Sequence, residues 1–245
     1  MKTPLVTVIT PTTGTAYLAQ AVQSVADQTY PYIQHLIVFD GVSDTSYWDS
    51  ALTQHNHCDI IKLPYATGTD RFNGHRIYGA AIYLCKGEYV CFLDEDNWFD
   101  DNHIQSLMDV INADNTWAFS LRKIVDVHGN YVCNDDCESL GKWPSIMDEN
   151  DYFVDVGCYF LPKNLALQSS PLWYRKAREP GVPEVDRILT HVLRENKLVC
   201  NTNGQYTLNY RAGNTERSVQ KEFFLNGNKQ MLNKYNGELP WTKKI

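Results

Sequence analysis

The sequence predicts an α/β fold: a central, mostly parallel sheet flanked by helices, in a single domain. Over about the first 95 residues, short apolar runs alternate with helical stripes, as in a parallel sheet with right-handed crossovers. Several of the runs end in Pro, Gly or acidic residues. An open α/β sheet presents its ligand sites there, outside the carboxyl ends of the strands.

Residues 5–10 read as the first strand, stopped by Pro11. Leu18, Ala21, Val22, Val25 and Ala26 recur at helical spacing within about residues 15–27. Residues 35–39 and 59–63 are the next two apolar strands, the first ended by Asp40-Gly41, the second by Pro64 and a Gly/Thr-rich loop. Ile77, Ala80, Ala81 and Leu84 form a helical stripe closed by Lys86-Gly87. Strand 88–93 then runs into Asp94-Glu95-Asp96.

The second half is less regular. A helix near 101–113 uses Ile104, Leu107, Met108 and Ile111. Residues 116–133 read as strands with a turn at Gly129-Asn130, and 155–161 as another strand, with Pro162 starting a short helix. Residues 183–195 carry Ile188, Leu189, Val192 and Leu193 on one helical face. Residues 205–210 form a strand and 215–234 a polar, amphipathic helix. No internal repeat or linker is visible, so 1–245 reads as one domain. About 1–98 form a nucleotide half and about 99–245 an acceptor half with the C-terminal helix.

Composition narrows the function. The chain of 245 residues is 43% hydrophobic and 21% charged, with net charge −7, which argues against a nucleic-acid binder. No apolar stretch approaches the roughly 18 residues of a membrane span. The start reads as a strand rather than a signal peptide, which points to the cytoplasm and leaves peripheral membrane association open. Of the seven cysteines, Cys85, Cys91, Cys158 and Cys200 lie in apolar segments and read as reduced core residues. Cys133 and Cys137 lack the second close pair of a structural zinc site, and no histidine has ligand spacing.

Asp94 and Asp96, two residues apart at a strand end, suit a hard divalent cation. Mg²⁺ takes one or two carboxylates together with substrate phosphates. Thr10-Pro11-Thr12 and Asp40-Gly41 end their strands at the same sheet edge, where they can meet the same nucleotide. Arg71 and Arg76 flank the loop and helix start after the third strand, and either contact a diphosphate or pair with surface acids. Glu184 and Asp186 open a helix, where acids serve either as dipole partners or as a general base. Tyr210, Arg211 and Arg217 lie in a Gly/Asn/Thr-rich stretch that reads as a lid. Trp98, Trp143, Trp173 and Trp241 are sugar-stacking candidates, with Trp98 favoured because it follows the acidic triplet.

These segments resemble glycosyltransferase family 2, whose members have the GT-A fold. Val6-Thr-Val-Ile-Thr-Pro-Thr12 is similar to the family's opening strand and turn. Ser24 with Gln28-Thr29-Tyr30 is similar to its Ser-x-x-x-Gln-Thr-Tyr helix ending. Leu36 to Asp44 follows its strand-Asp-Asp-Gly-Ser-x-Asp element, with Phe39 in place of the first aspartate. Gly74-His75-Arg76 and Gly79 resemble Gly-x-x-x-Arg-Asn-x-Gly, with Ile77 in place of the asparagine. Gly87 to Asn97 resembles Gly-Glu-Tyr-x-x-x-Leu-Asp-x-Asp-Asp. The resemblance is strong over residues 4–98 and weaker over 150–212.

It implies inverting transfer of a sugar from a UDP- or GDP-type nucleotide-diphosphate donor to a glycan or other hydroxyl-bearing acceptor. Thr10, Pro11, Thr12, Asp40, Gly41, Arg71, Arg76, Asp94, Glu95 and Asp96 would line the donor site. Asp40 would hold the nucleotide, Asp94 the ribose or metal, and Asp96 the Mn²⁺ or Mg²⁺ that bridges the diphosphate. The family's helix-start aspartate is its usual base. Register favours Asp186 here, with Glu184 next, and Trp98 would meet the acceptor. Two other readings remain. A nucleotidyltransferase needs a basic loop after the first strand, which Pro11-Thr-Thr-Gly-Thr15 lacks. A non-catalytic binding relative has no need for all of Asp94, Asp96 and Asp186.

Overall fold

The computed structural model describes residues 3–52, 54, 55, 57–111, 116–175, 185–215 and 218–242. The first strands are β1 (Val6–Thr12), β2 (Ile33–Phe39), β3 (Cys58–Lys62) and β4 (Tyr89–Phe92). They alternate with α1 (Leu18–Ala26), α2 (Ser46–Leu52) and α3 (His75–Ala81). There follow β5 (Trp98–Phe99), α4 (His103–Met108), β6 (Trp117–Val125), β7 (Tyr131–Asn134), β8 (Tyr159–Pro162) and α5 (Lys163–Ser169). The chain continues through α6 (Val185–Glu195), β9 (Cys200–Arg211) and α7 (Lys221–Lys234).

Among the described residues the strands form one sheet, ordered β3-β2-β1-β4-β8-β6-β9-β5, with β7 paired to β6. β1, β2, β3, β4, β6 and β9 run one way and β5, β7 and β8 the other. The chain winds outward from β1 to β2 and β3, then crosses back to place β4 on β1's other side. The order therefore reverses between β1 and β4, and that reversal opens the crevice in which sheets of this type bind ligands.

β1 is buried along its whole length and extends through Pro11, where the sequence placed a stop. Pairing with β4 ends at Ile9, whereas pairing with β2 continues to Thr12. A residue without an N–H is tolerated where one side of the strand is no longer paired. α1 buries Leu18, Ala21, Val22 and Val25, as its periodicity predicts. Ser24 and Gln28 at its end act as a bracket. Ser24 Oγ accepts from Phe99 N at 3.2 Å, and Gln28 Oε1 accepts from Ile104 N at 2.9 Å. Gln28 Nε2 donates to Asp100 O at 2.6 Å. The bracket fixes the chain just downstream of the acidic triplet.

Other departures have local causes. Residues 155–161 split into a 3₁₀ turn and β8, because Asp155 caps the turn by accepting from Gly157 N at 3.0 Å. α2, which buries only Trp48 and Leu52, and the two-residue β5 carry no periodic stripe and are not anticipated by the sequence. β9 is longer than expected and α7 starts later, which leaves 212–215 and 218–220 outside both elements, with Asn214, Thr215 and Ser218 at the crevice. Gly41 has φ +73°, and a Cβ there would lie 2.3 Å from Ala66 N. Only glycine allows the two loops to meet. No helix among the described residues is long and apolar enough to cross a membrane.

Candidate functional site

The crevice at the β1/β4 reversal is a cavity of about 740 Å³. Its floor comes from the strand ends: Pro11 and Thr12 at the end of β1, Asp40 after β2, and Asp94, Glu95 and Asp96 after β4. Gly74 and His75 at the start of α3 form one wall; Tyr210, Arg211, Asn214 and Ser218 form the other.

The three acids of the triplet do different work. Glu95 faces the loop after β1. Its oxygens accept from Thr13 N at 2.9 Å, Thr15 N at 3.0 Å, and the hydroxyls of Thr12, Thr13 and Thr15 at 2.6–2.9 Å. Both oxygens are thus occupied in ordering residues 12–15. Asp94 is half-buried, and Tyr78 Oη donates to its Oδ1 at 2.7 Å. Asn214 Nδ2 donates to Asp96 Oδ2. Asp94 Oδ2 and Asp96 Oδ1 have no hydrogen bond from another described residue.

Burial holds the Asp94 carboxyl well above the usual range, and the charges of Asp96, Asp155 and Asp186 push it further. Burial likewise raises Asp96, with Glu95 adding to it, while Asn214 and Arg211 pull it back. Asp186, at the start of α6, is partly exposed and is not on the cavity wall. Burial of its inner side and repulsion from Asp155 raise it to about 6. Asp94 and Asp186 therefore sense one another across the site.

A buried ionic network supports this arrangement and could not be read from the sequence. The fully buried Arg122 on β6 donates to Asp135 at 2.8 Å, to Glu138 at 2.6 Å and to Asp155. Its guanidinium lies 4.4 Å from the Tyr210 ring centroid. Arg187, next to Asp186, donates to Glu138 at 2.5 Å and Asp151 at 2.6 Å. One chain of ion pairs thus links β6, the turn before β8 and the first turn of α6. Arg211 holds the opposite wall: Nε donates to Asp96 O at 3.0 Å, and Nη2 to Gln20 Oε1 at 2.8 Å.

Several expected residues lie elsewhere or act differently. Thr10 is fully buried, with Oγ1 2.9 Å from His35 Nε2, so it turns into the sheet. Asp40 reaches the cavity, but its carboxylate accepts from Thr67 N at 2.6 Å and Gly68 N at 3.0 Å. Arg76 is folded onto its own loop, donating to Thr67 O at 2.7 Å and Thr69 Oγ1 at 3.0 Å, 4.0 Å above the Phe72 ring. Neither Arg71 nor Arg76 is on the cavity wall. Trp98 is not there either; it lies 5.1 Å from the Arg211 guanidinium. Trp173 and Trp241 are core residues. The rings that do reach the cavity are Tyr17, His75 and Tyr210. Arg211 is buried and tied down rather than lid-like. Glu184 and Arg217 lie outside the described residues.

A model of the family described as Glycosyl transferase family 2 matches residues 7–132. The chain belongs to glycosyl transferase family 2. Among relatives of this family 2 chain, glycosyltransferase GlyG of Streptococcus pneumoniae is 27% identical over 168 residues, 67% of the chain and 48% of GlyG. An uncharacterized glycosyltransferase of Rickettsia bellii is 26% identical over 134 residues, 53% of the chain and 19% of its own length. The chain thus spans about half the length of the first relative and less of the second. The structure of S. aureus TarS 1-349 in complex with UDP-GlcNAc aligns with TM-score 0.60 at 15% identity, over 94% of this chain and 66% of that one. Mannosyltransferase PcManGT from Pyrobaculum calidifontis, in complex with GDP-Man and Mn²⁺, aligns with TM-score 0.61 at 13% identity, over 98% and 66%. At such identities the likeness is one of fold, and the fold is GT-A.

Replacing Arg122 by Leu leaves Asp135, Glu138 and Asp155 buried without their cation. Removing one partner of a buried ionic group costs about 3–5 kcal/mol. Urea unfolding of Arg122→Leu is expected to show a loss of that size; a loss under about 1 kcal/mol would mean the network does not brace the fold.

Proposed function

We propose that the chain is an inverting, metal-dependent glycosyltransferase that moves a sugar from a nucleotide-diphosphate donor to an acceptor hydroxyl. One observation carries the reading. Two carboxylates with free oxygens, on Asp94 and Asp96, face a large crevice at the sheet's reversal point, with a third acid, Asp186, within electrostatic range. Family membership and neighbours bound to UDP-GlcNAc and to GDP-Man with Mn²⁺ support a UDP- or GDP-type donor.

The donor set fits a hard cation. Both candidate ligands are carboxylates, the oxygen donors that Mg²⁺ and Mn²⁺ prefer. Their raised proton affinity reflects crowded negative charge in a poorly solvated wall, which a divalent cation would relieve. Asp94 and Asp96 would hold the ion, which when bound offsets the charge developing on the leaving diphosphate.

The rest falls to the chain's own groups. Glu95 keeps the loop after β1 in shape beneath the donor. Asp40 holds Thr67 and Gly68 so that the loop after β3 forms the nucleotide side. Tyr78 fixes Asp94 in one rotamer. Asp186 takes the proton from the attacking hydroxyl, which approaches the sugar from the face opposite the diphosphate. In this reading about 1–98 serve the donor and about 99–245 the acceptor, within one domain.

Asp186→Asn is expected to lower turnover by a factor of about 10²–10⁴, the usual contribution of a positioned base, while donor binding stays within about twofold. Because Asp186 acts only when deprotonated, wild-type turnover should rise with pH and level off above about 6. Near-full turnover in Asp186→Asn would assign the proton to another group. NMR of the product should show an anomeric configuration opposite to the donor's; retained configuration would overturn the mechanism.

A further inference from the structure

Strand pairing gathers three nitrogen and sulfur donors on β2 and β3, toward the strand starts and away from the crevice. His35 lies opposite Cys58 in the parallel β2/β3 register, and His35 N donates to His57 O at 2.8 Å. Side chains of such a pair project from the same face of a sheet. His57 enters from the residue just before β3. One ring nitrogen of each histidine and Cys58 Sγ all lie within 4.8 Å of one another. The two imidazoles are nearly parallel, 8° between planes, with centroids 6.4 Å apart.

Hydrogen bonding leaves these rings short of partners. His35 is fully buried, and its Nε2 meets Thr10 Oγ1 at 2.9 Å. Its Nδ1 is buried without a partner among the described residues, as is His57 Nε2. A buried polar atom left unsatisfied costs about 1–3 kcal/mol, so one on each of two neighbouring imidazoles calls for an explanation. Burial lowers His35 to about 3, and burial with the nearby His55 lowers His57. The contact of His35 Nε2 with Thr10 is the kind of outer hydrogen bond that orients a metal-binding histidine.

We propose that His35 Nδ1, His57 Nε2 and Cys58 Sγ form a zinc site that clips β3, at the sheet's edge, to β2. Imidazole and thiolate suit zinc, whereas the all-oxygen set at the crevice suits Mg²⁺ or Mn²⁺. Tetrahedral bonds of 2.0–2.1 Å to nitrogen and about 2.3 Å to sulfur place donors about 3.3–3.7 Å apart, so the three side chains need to close by no more than about 1.5 Å. Binding forms a Zn–Sγ bond and releases the thiol proton to solvent, with no change of oxidation state. His57 and Cys58 are only half-buried, which gives the ion a way in. The clip fixes the strand that leads into the loop captured by Asp40.

The test is Co²⁺ titration of the metal-free full chain, with Zn²⁺ competition. A single equivalent of Co²⁺ should produce thiolate-to-cobalt charge-transfer absorption, abolished by Zn²⁺; oxygen-only ligation at the crevice gives none. His57→Gln and Cys58→Ser, both at half-exposed positions, should each lose the band and bind Zn²⁺ at least tenfold more weakly, the loss seen even for outer-shell partners. Cys133→Ser and Asp96→Asn should keep both. No thiolate band in the wild type, or a band surviving both His57→Gln and Cys58→Ser, overturns the proposal.

Discussion

Crowded negative charge at the end of β4 is the constraint on which the rest of the site depends. Asp94 is half-buried, and desolvation together with the charges of Asp96, Asp155 and Asp186 pushes its carboxyl well above the ordinary range. A fold with no use for a cation would gain by separating these groups or neutralising them by substitution. Here a rigid central strand, the Tyr78 hydroxyl and the reversal of strand order hold Asp94 and Asp96 at one crevice, with Asp155 and Asp186 within electrostatic range of Asp94.

The supporting groups divide into three sets. Glu95 shapes the floor by ordering residues 12–15. Arg211 ties the end of β9 to the triplet's backbone and to α1. Arg122 and Arg187 brace the far side, where Asp155 and Asp186 sit, through buried pairs that also run to Asp135, Glu138 and Asp151. Among the described residues the Arg122 pairs are the most buried, so water screens them less than the surface pair Lys62–Asp49. The site is therefore held in place from three directions before any substrate arrives.

The strand-end rule made much of this legible in the sequence. Apolar runs ending in Pro-Thr, Asp-Gly and Asp-Glu-Asp placed Pro11, Asp40, Asp94 and Asp96 at one edge, and the structure puts all four on one cavity. What the sequence does not carry is side-chain direction. Thr10 sits one residue too early and faces into the sheet, and Trp98 is turned against Arg211. Arg76 donates to acceptors in its own loop and lies off the cavity wall. The Arg122 network, the Tyr78–Asp94 bond and the His35, His57 and Cys58 cluster join residues 13–33, 16 and 22–23 positions apart; pairing and packing create them, not local spacing. Ser24 and Gln28 stood out only as part of a family motif, and their bracket around β5 and α4 supplies the physical reason for it.

The most direct measurement is electron paramagnetic resonance of Mn²⁺ titrated into the chain, with and without a nucleoside diphosphate. The account predicts that the six-line signal of free Mn²⁺ is quenched at one site. Binding should tighten when UDP or GDP is present and be lost in Asp96→Asn, while far-UV circular dichroism stays unchanged. A free-ion signal that persists, or binding indifferent to Asp96→Asn, would contradict the claim that these carboxylates are kept together to hold a cation.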